Sequence, residues 1–226
     1  SLGTVYLIGN SHYQLTHRSY LLHCVSQDHP YLAHAVNCMQ TLRDLRFPLF
    51  PTQIHCGETR DTIYSIYHPP LRSNTDALFC WLQAVQRFPE HVVQWILVHL
   101  VITLQLLHQH EILFHSLSPE FTFFDRDGVF RISDLFLSKD INVSTIAHNI
   151  PEYDPPEVVL HNLKHGPQPN HLTPTVHTFA GDFWRLGVFL YELSTGLPPF
   201  RATDVSADLH YDTVYQRIKD YQPNTL

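Results

Sequence analysis

Charge is scarce in this chain. Charged residues make up 15% of its 226 residues, below the quarter or so usual in soluble domains. Fourteen basic residues face 21 acidic ones, giving a net charge of −7, and no run of lysine or arginine occurs. A phosphate backbone is repelled overall, so nucleic acid is not an expected partner. Cysteine is scarce too. Cys24, Cys38, Cys56 and Cys80 are scattered and form no C-x-x-C pair, which argues against a disulfide framework and for reduced, buried thiols. The opening "SLGTVYLIGN" has neither the basic start nor the small-residue cleavage site of a signal peptide, so a cytoplasmic or nuclear location is expected, not secretion. Long apolar runs are lacking as well. The most apolar stretch, "VVQWILVHLVITLQLL" at 92–107, is short for a bilayer span and carries Gln94, His99, Thr103 and Gln105. It reads as a buried helix, without membrane insertion.

What is present is enough apolar material, 44% of residues, to bury a core in one domain or in two small lobes. Histidine is abundant, at 18 residues. The histidines spread along the whole chain, which fits composition better than a metal site or pH sensor. "TVYLIG" and "RSYLLHCVS" read as antiparallel strands, and "TQIHC" and "DTIYSIY" as two more around the turn "GETR". Leu32, Val36, Met39, Leu42 and Leu45 recur at helical intervals, predicting a helix that ends before Pro48. "HPPLRSN" at 68–74 breaks regular structure and marks the boundary between two lobes.

Residues 74–86 and 89–110 read as helices, the second long and apolar. "EFTFF" and "VFRIS" flank "DRDG", a hairpin with Gly128 where a positive φ is tolerated. "GDFWRLGVFLYELSTG" is a strongly apolar helix ending at Gly196. The Pro- and His-rich segment 161–177 reads as an inserted surface loop, and a last helix starts near 209–219.

In this order the sequence resembles a protein kinase domain nearly end to end, closest in flavour to the cyclic-nucleotide-dependent kinases and their AGC relatives. "GTVYL" resembles the close of the glycine-rich loop, with Gly3 and Val5. "YLLHCVS" stands where strand three usually carries its lysine, and "NCMQTLRDLRFP" resembles the αC helix. "ILFHSLSPEFTFFDRDGVFRISDLFLSK" resembles the catalytic loop, hairpin and metal-binding motif in one register. "PEYDPPEVVL" resembles the end of the activation segment, and "GDFWRLGVFLYELSTGLPPF" the αF helix. The resemblance implies an α+β, bilobal kinase-like fold over 1–226: a small antiparallel β N-lobe with one helix at about 1–70, and a mainly α-helical C-lobe at about 71–226. It also implies truncation at both ends, inside the glycine-rich loop and within αG.

Kinase chemistry is mainly positioning and charge neutralisation around ATP phosphates, and it needs particular side chains. By position, the resemblance puts His23 in place of the strand-three lysine and Cys38 in place of the αC glutamate. Ser116 stands for the catalytic aspartate, and a serine hydroxyl has no useful basicity near neutral pH. His115 replaces the preceding arginine, Ser118 the following lysine, and Phe121 the asparagine that holds magnesium. Asp134, in "DLF", keeps the metal-binding aspartate. The adenine pocket is altered as well: Tyr67 is the gatekeeper, Pro70 offers no hinge N–H, Leu21 fills the roof and Phe123 the floor. Larger side chains there can replace nucleotide in packing.

The framework positions are kept. The resemblance assigns Asp182 to tethering the catalytic loop, followed by Trp184 and Gly187 in register, and Glu157 to closing the activation segment with an arginine partner beyond Leu226. A stacked apolar column comprises Leu42, Leu135, Phe114 and an unassigned strand-four residue. Ser144 and Thr145 lie near the usual phosphosite, but His115 is no phosphate-reading arginine.

The expected function is therefore that of a catalytically inactive kinase-like domain, not an enzyme, acting on a protein partner as scaffold or allosteric regulator. No cofactor is expected; the alternative is a divergent serine/threonine kinase or other ATP-dependent phosphotransferase with a rebuilt site, which takes Mg-ATP. Other chemistry is poorly supported. Ser116 and Ser118 lack a Gly-x-Ser-x-Gly context and read as solvated loop serines, and His115 reads as structural. Asp134 reads as a hairpin-end residue making local hydrogen bonds. His161 and His165, with His171 and His177, have zinc-like spacing, but the prolines among them argue against a rigid site.

Overall fold

A computed structural model describes residues 4–9, 19–28, 36, 40, 43–44, 49–50, 53–67, 77–114, 117–125, 128–132, 138–140, 150–165, 178–202 and 207–221. The chain opens with β1 (Thr4–Gly9), β2 (Ser19–Ser26), β3 (Gln53–Glu58) and β4 (Thr62–Tyr67), which form one antiparallel sheet in the order β1-β2-β4-β3. Strand periodicity is visible in β4, where Ser65 and Tyr67 alternate into the interior. The β3–β4 turn is closed by Thr59, whose N–H and hydroxyl both donate to the Thr62 carbonyl at 2.8 and 3.2 Å. Between β2 and β3, Val36, Gln40, Arg43 and Asp44 are helical; the rest of the helix expected there lies outside the described residues, as does the lobe boundary at 68–74.

Two helices follow, α1 (Leu78–Val85) and α2 (Glu90–Gln109). The first begins at Leu78 rather than at 74, because Ala77 is extended and bridges to Phe123. In α2, Pro89 fixes the entry, and Val93, Ile96, Leu100, Leu104 and Leu107 recur on one buried face. The expectation of a buried helix needs correction, because Trp95, Val98 and Ile102 on its other side are exposed. By length and composition alone α2 is long and apolar enough to cross a membrane, a test that core helices of soluble proteins also pass.

Short strands come next: β5 (Ile112–Phe114), β6 (Thr122–Phe124), β7 (Phe130–Ile132) and β8 (Ser138–Asp140). The β6–β7 hairpin turns through Gly128 at φ +75°, a conformation that favours glycine. Asp125 fixes the turn, accepting from Val129 N–H and from Arg131 Nε, each at 2.9 Å. β5 pairs with β8, bringing Phe114 opposite Ser138.

Three helices complete the described chain: α3 (Pro156–His165), α4 (Phe179–Thr195) and α5 (Ala207–Asp220). α3 takes in residues 161–165, so the segment read as a surface loop over 161–177 begins as helix; 166–177 lie outside the described residues. Thr178 caps α4, its Oγ1 accepting from Gly181 N–H at 3.3 Å. Gly196 ends α4 at φ +91°, and a Cβ there would lie 2.0 Å from the Gln86 carbonyl oxygen. Glycine alone permits both the left-handed cap and the close approach of the α1–α2 connection. Phe88 N–H donates to Leu193 O at 2.8 Å beside it.

One apolar core joins these parts, with Ile96, Leu104, Phe114, Phe130, Phe189 and Val214 among its fully enclosed members. Leu49 and Phe50 enter it from the segment before β3, and Ile132 N–H donates to Leu49 O at 2.8 Å.

Candidate functional site

The site is built where β5 ends. Phe114, wholly buried, is the last residue before the expected catalytic loop. Its N–H donates to Asp182 Oδ2 at 2.8 Å, and His108 Nε2 lies 2.8 Å from the same oxygen. A carboxylate accepts only, so His108 carries its proton on Nε2. Asp182 thus holds the end of α2, the end of β5 and the first turn of α4 at one buried point. The His108 ring lies against Phe179, 4.4 Å between centroids, which fixes its plane. Phe50 meets Phe114 edge-on at 6.2 Å, giving Phe114 an aromatic neighbour where the apolar column lacked an assigned member.

Beyond Phe114, His115 and Ser116 lie outside the described residues, as do Gly3, Cys38, Leu42, Pro70, Asp134, Leu135, Ser144, Thr145, His171 and His177. The chain re-enters at Leu117. Ser118 is 1% exposed and its Oγ has no hydrogen-bond partner among the described residues, which corrects the reading of a solvated serine. The cause is the turn that follows: Pro119–Phe121 is a 3-10 turn in which Phe121 N–H donates to Ser118 O at 3.2 Å. Thr122 Oγ1 donates to the same carbonyl at 3.2 Å. Phe121 itself is half-buried in this turn and carries no oxygen or nitrogen donor for a metal.

On the sheet side, register places Leu21 opposite Tyr67, and sets Val5 and Ser65 on either side of His23. Tyr67 is 3% exposed, and burial pushes its hydroxyl up to about 12. Phe123 is 1% exposed in β6. Among the described residues no group of three or more His, Cys, Asp or Glu side chains is placed to hold a metal ion. His161 and His165 share α3.

The framework residues are tied by direct contacts. Glu157 Oε1 accepts from Thr178 Oγ1 at 3.1 Å, joining α3 to the cap of α4. Trp184 stacks on Phe200, centroids 5.5 Å apart and planes 9° apart, with Tyr221 edge-on. Gly187 is exposed on α4, with open space where a Cβ would stand.

Sequence reasoning missed a set of buried polar groups beside these. Arg185 is nearly enclosed, with its guanidinium 3.9 Å from Asp154 Oδ1 and 4.0 Å from Asp182 Oδ1. Tyr153 OH donates to Glu192 Oε2 at 2.5 Å, and Tyr215 OH donates to Asp154 Oδ2 at 2.7 Å. Burial pushes Asp154 up to about 6, against the pull of Arg185 and Tyr215. Burial also pushes Glu192 up to about 7, with Glu120 and Glu152 adding repulsion. A signal existed in the sequence: Asp182, Arg185, Phe189 and Glu192 recur at helical intervals within an apolar run, so charge on the core face was implied.

Residues 3–225 match the family model of the protein kinase domain. Protein kinase 2 of Dictyostelium discoideum is 32% identical over 180 residues, 78% of this chain and 33% of that protein. Serine/threonine-protein kinase sck1 of Schizosaccharomyces pombe is 36% identical over 133 residues, 57% of this chain and 17% of that protein. The cAMP-dependent protein kinase catalytic subunit of the same yeast is 30% identical over 125 residues, 54% of this chain and 22% of that protein. The chain belongs to the protein kinase domain family. Its fold is that of the family, a small antiparallel N-terminal sheet and a mainly helical remainder. The chain spans a third or less of the length of these relatives.

Proposed function

We propose that this chain is a catalytically inactive kinase-like domain that works by holding a protein partner, as a scaffold or allosteric regulator. One observation carries the reading. In the turn at 118–121 a buried serine and a phenylalanine stand where the resemblance puts the catalytic lysine and the magnesium-binding asparagine, and on this reading their side chains offer neither a cation for phosphate nor a ligand for metal. The composition at His23, Cys38 and Ser116 supports the same reading. Meanwhile Asp182 holds Phe114 N–H, which supports a maintained scaffold. On this proposal no nucleotide or metal is retained, Tyr67 and Phe123 fill space that adenine occupies in an active relative, and the protein works in the cytoplasm or nucleus.

Thermal unfolding with ATP and magnesium, manganese or chelator tests this. A ligand that binds only the folded state raises the midpoint. The expected result is no shift at about millimolar ATP and no phosphoryl transfer. A metal-dependent shift lost in Asp134→Ala, together with transfer by the pure chain, overturns the proposal and establishes the divergent kinase instead.

A further inference from the structure

The turn Pro151–Asp154 carries two buried tyrosine–carboxylate bonds from consecutive residues, running in opposite directions. Tyr153 donates to Glu192 on α4, and Asp154 accepts from Tyr215 on α5. Asn162 Nδ2 of α3 donates to the same Tyr215 hydroxyl at 3.1 Å. All four partners of the two bonds are buried. The turn is therefore joined to α4 and to α5 through one carboxyl group each, and α3 is tied to α5 through the Asn162–Tyr215 bond.

We propose that this stretch is a proton-sensitive clasp, in which protonation of Glu192 and Asp154 tightens the turn and α5 onto α4, with α3 following through Tyr215, and deprotonation loosens them. Among the described residues, Glu192 faces Tyr153 on the turn and the carboxylates of Glu120 and Glu152. Asp154 faces Arg185 on α4, Tyr215 on α5 and Glu152. Among the described residues, the charged form of Glu192 meets burial and two like charges, which the Tyr153 hydroxyl offsets only in part. Around Asp154 the Arg185 guanidinium at 3.9 Å and the Tyr215 hydroxyl oppose the effect of burial without cancelling it. A protonated carboxyl keeps its carbonyl oxygen as acceptor for the tyrosine hydroxyl, so the bonds survive protonation while the cost of a buried charge is removed.

The direction follows from linkage. Both groups hold their protons more tightly in the folded chain than in the unfolded one, where they return to the ordinary carboxylate range. Their stabilising contribution is full below that range and is lost as pH rises through about 6 at Asp154 and about 7 at Glu192. The clasp stands apart from whether the domain binds nucleotide.

Hydrogen exchange on the whole chain at about pH 5.5 and about pH 8, corrected for intrinsic rates, reads the clasp directly. Protection of 150–165 and 207–221, relative to α2, is expected to fall by about tenfold on going to the higher pH, one unit of proton linkage. The variant Glu192→Gln with Asp154→Asn keeps both acceptor oxygens and is expected to abolish that change. The same change in wild type and variant overturns the proposal. If the double variant does not fold, infrared titration of the wild-type protonated-carboxyl band decides. Two carboxyls losing protons between about pH 5.5 and about pH 7.5 support the clasp, and none doing so refutes it.

Discussion

At the scale of single residues, Ser118 shows how a hydroxyl is taken into the interior. A lysine in this place would bring a cation to a phosphate; the serine instead sits under the Pro119 turn with its hydroxyl unpaired among the described residues. An unpaired buried hydroxyl costs free energy that a methyl group does not. Ser118→Ala is accordingly expected to leave the fold intact and raise stability by up to about 1 kcal/mol in urea unfolding. A loss of more than about 1 kcal/mol would show that the hydroxyl has a structural partner. The identity of residue 118 was legible from position in the sequence, but its burial was not. A serine is found both in water and in cores, and only the 3-10 geometry of the next three residues decides between them.

At the scale of elements, α2 tests how periodicity was read. Its long apolar run was legible as a helix because good helix formers and a leading proline agree. Its exposure was not, because an apolar run without strong polar contrast does not say which face is inward. The packing answers that: Ile96 is enclosed and Val98 is 56% exposed. Ile96→Ala is expected to cost about 3 kcal/mol, while Val98→Ala stays within about 0.5 kcal/mol. Urea midpoints of the two variants compare them, and equal losses would mean that the outer face of α2 is covered in solution. The β5–β8 pairing was hidden for a different reason. Each strand has only three residues, and their partnership is set by distant parts of the chain, so neither carries a strand pattern of its own. The same holds for residues 161–165, where His and Pro composition suggested a loop while the α3 register continued through them.

At the scale of the whole molecule, the family's catalytic architecture depends on a tether, and the tether is a buried charge. Asp182 accepts from Phe114 N–H and His108 and lies 4.0 Å from Arg185. Position in the sequence pointed to Asp182, but not to the partners that make its burial tolerable, since His108 comes 74 residues earlier. An aspartate that is 0% exposed is made acceptable by groups that answer its charge, three of them among the described residues. Deleting it leaves the Phe114 N–H without its acceptor and Arg185 beside one carboxylate instead of two. Asp182→Ala is therefore expected to cost about 3 to 5 kcal/mol. His108→Ala, which leaves Asp182 its other donor and Arg185, is expected to cost about 1 to 3 kcal/mol. The two act on one oxygen, so the double variant loses less than their sum, and a double-mutant cycle by urea unfolding measures the shortfall. Strict additivity would mean that His108 and Asp182 are not coupled. A shortfall of about 1 kcal/mol or more would mean that the end of α2 and the end of β5 are held as one unit.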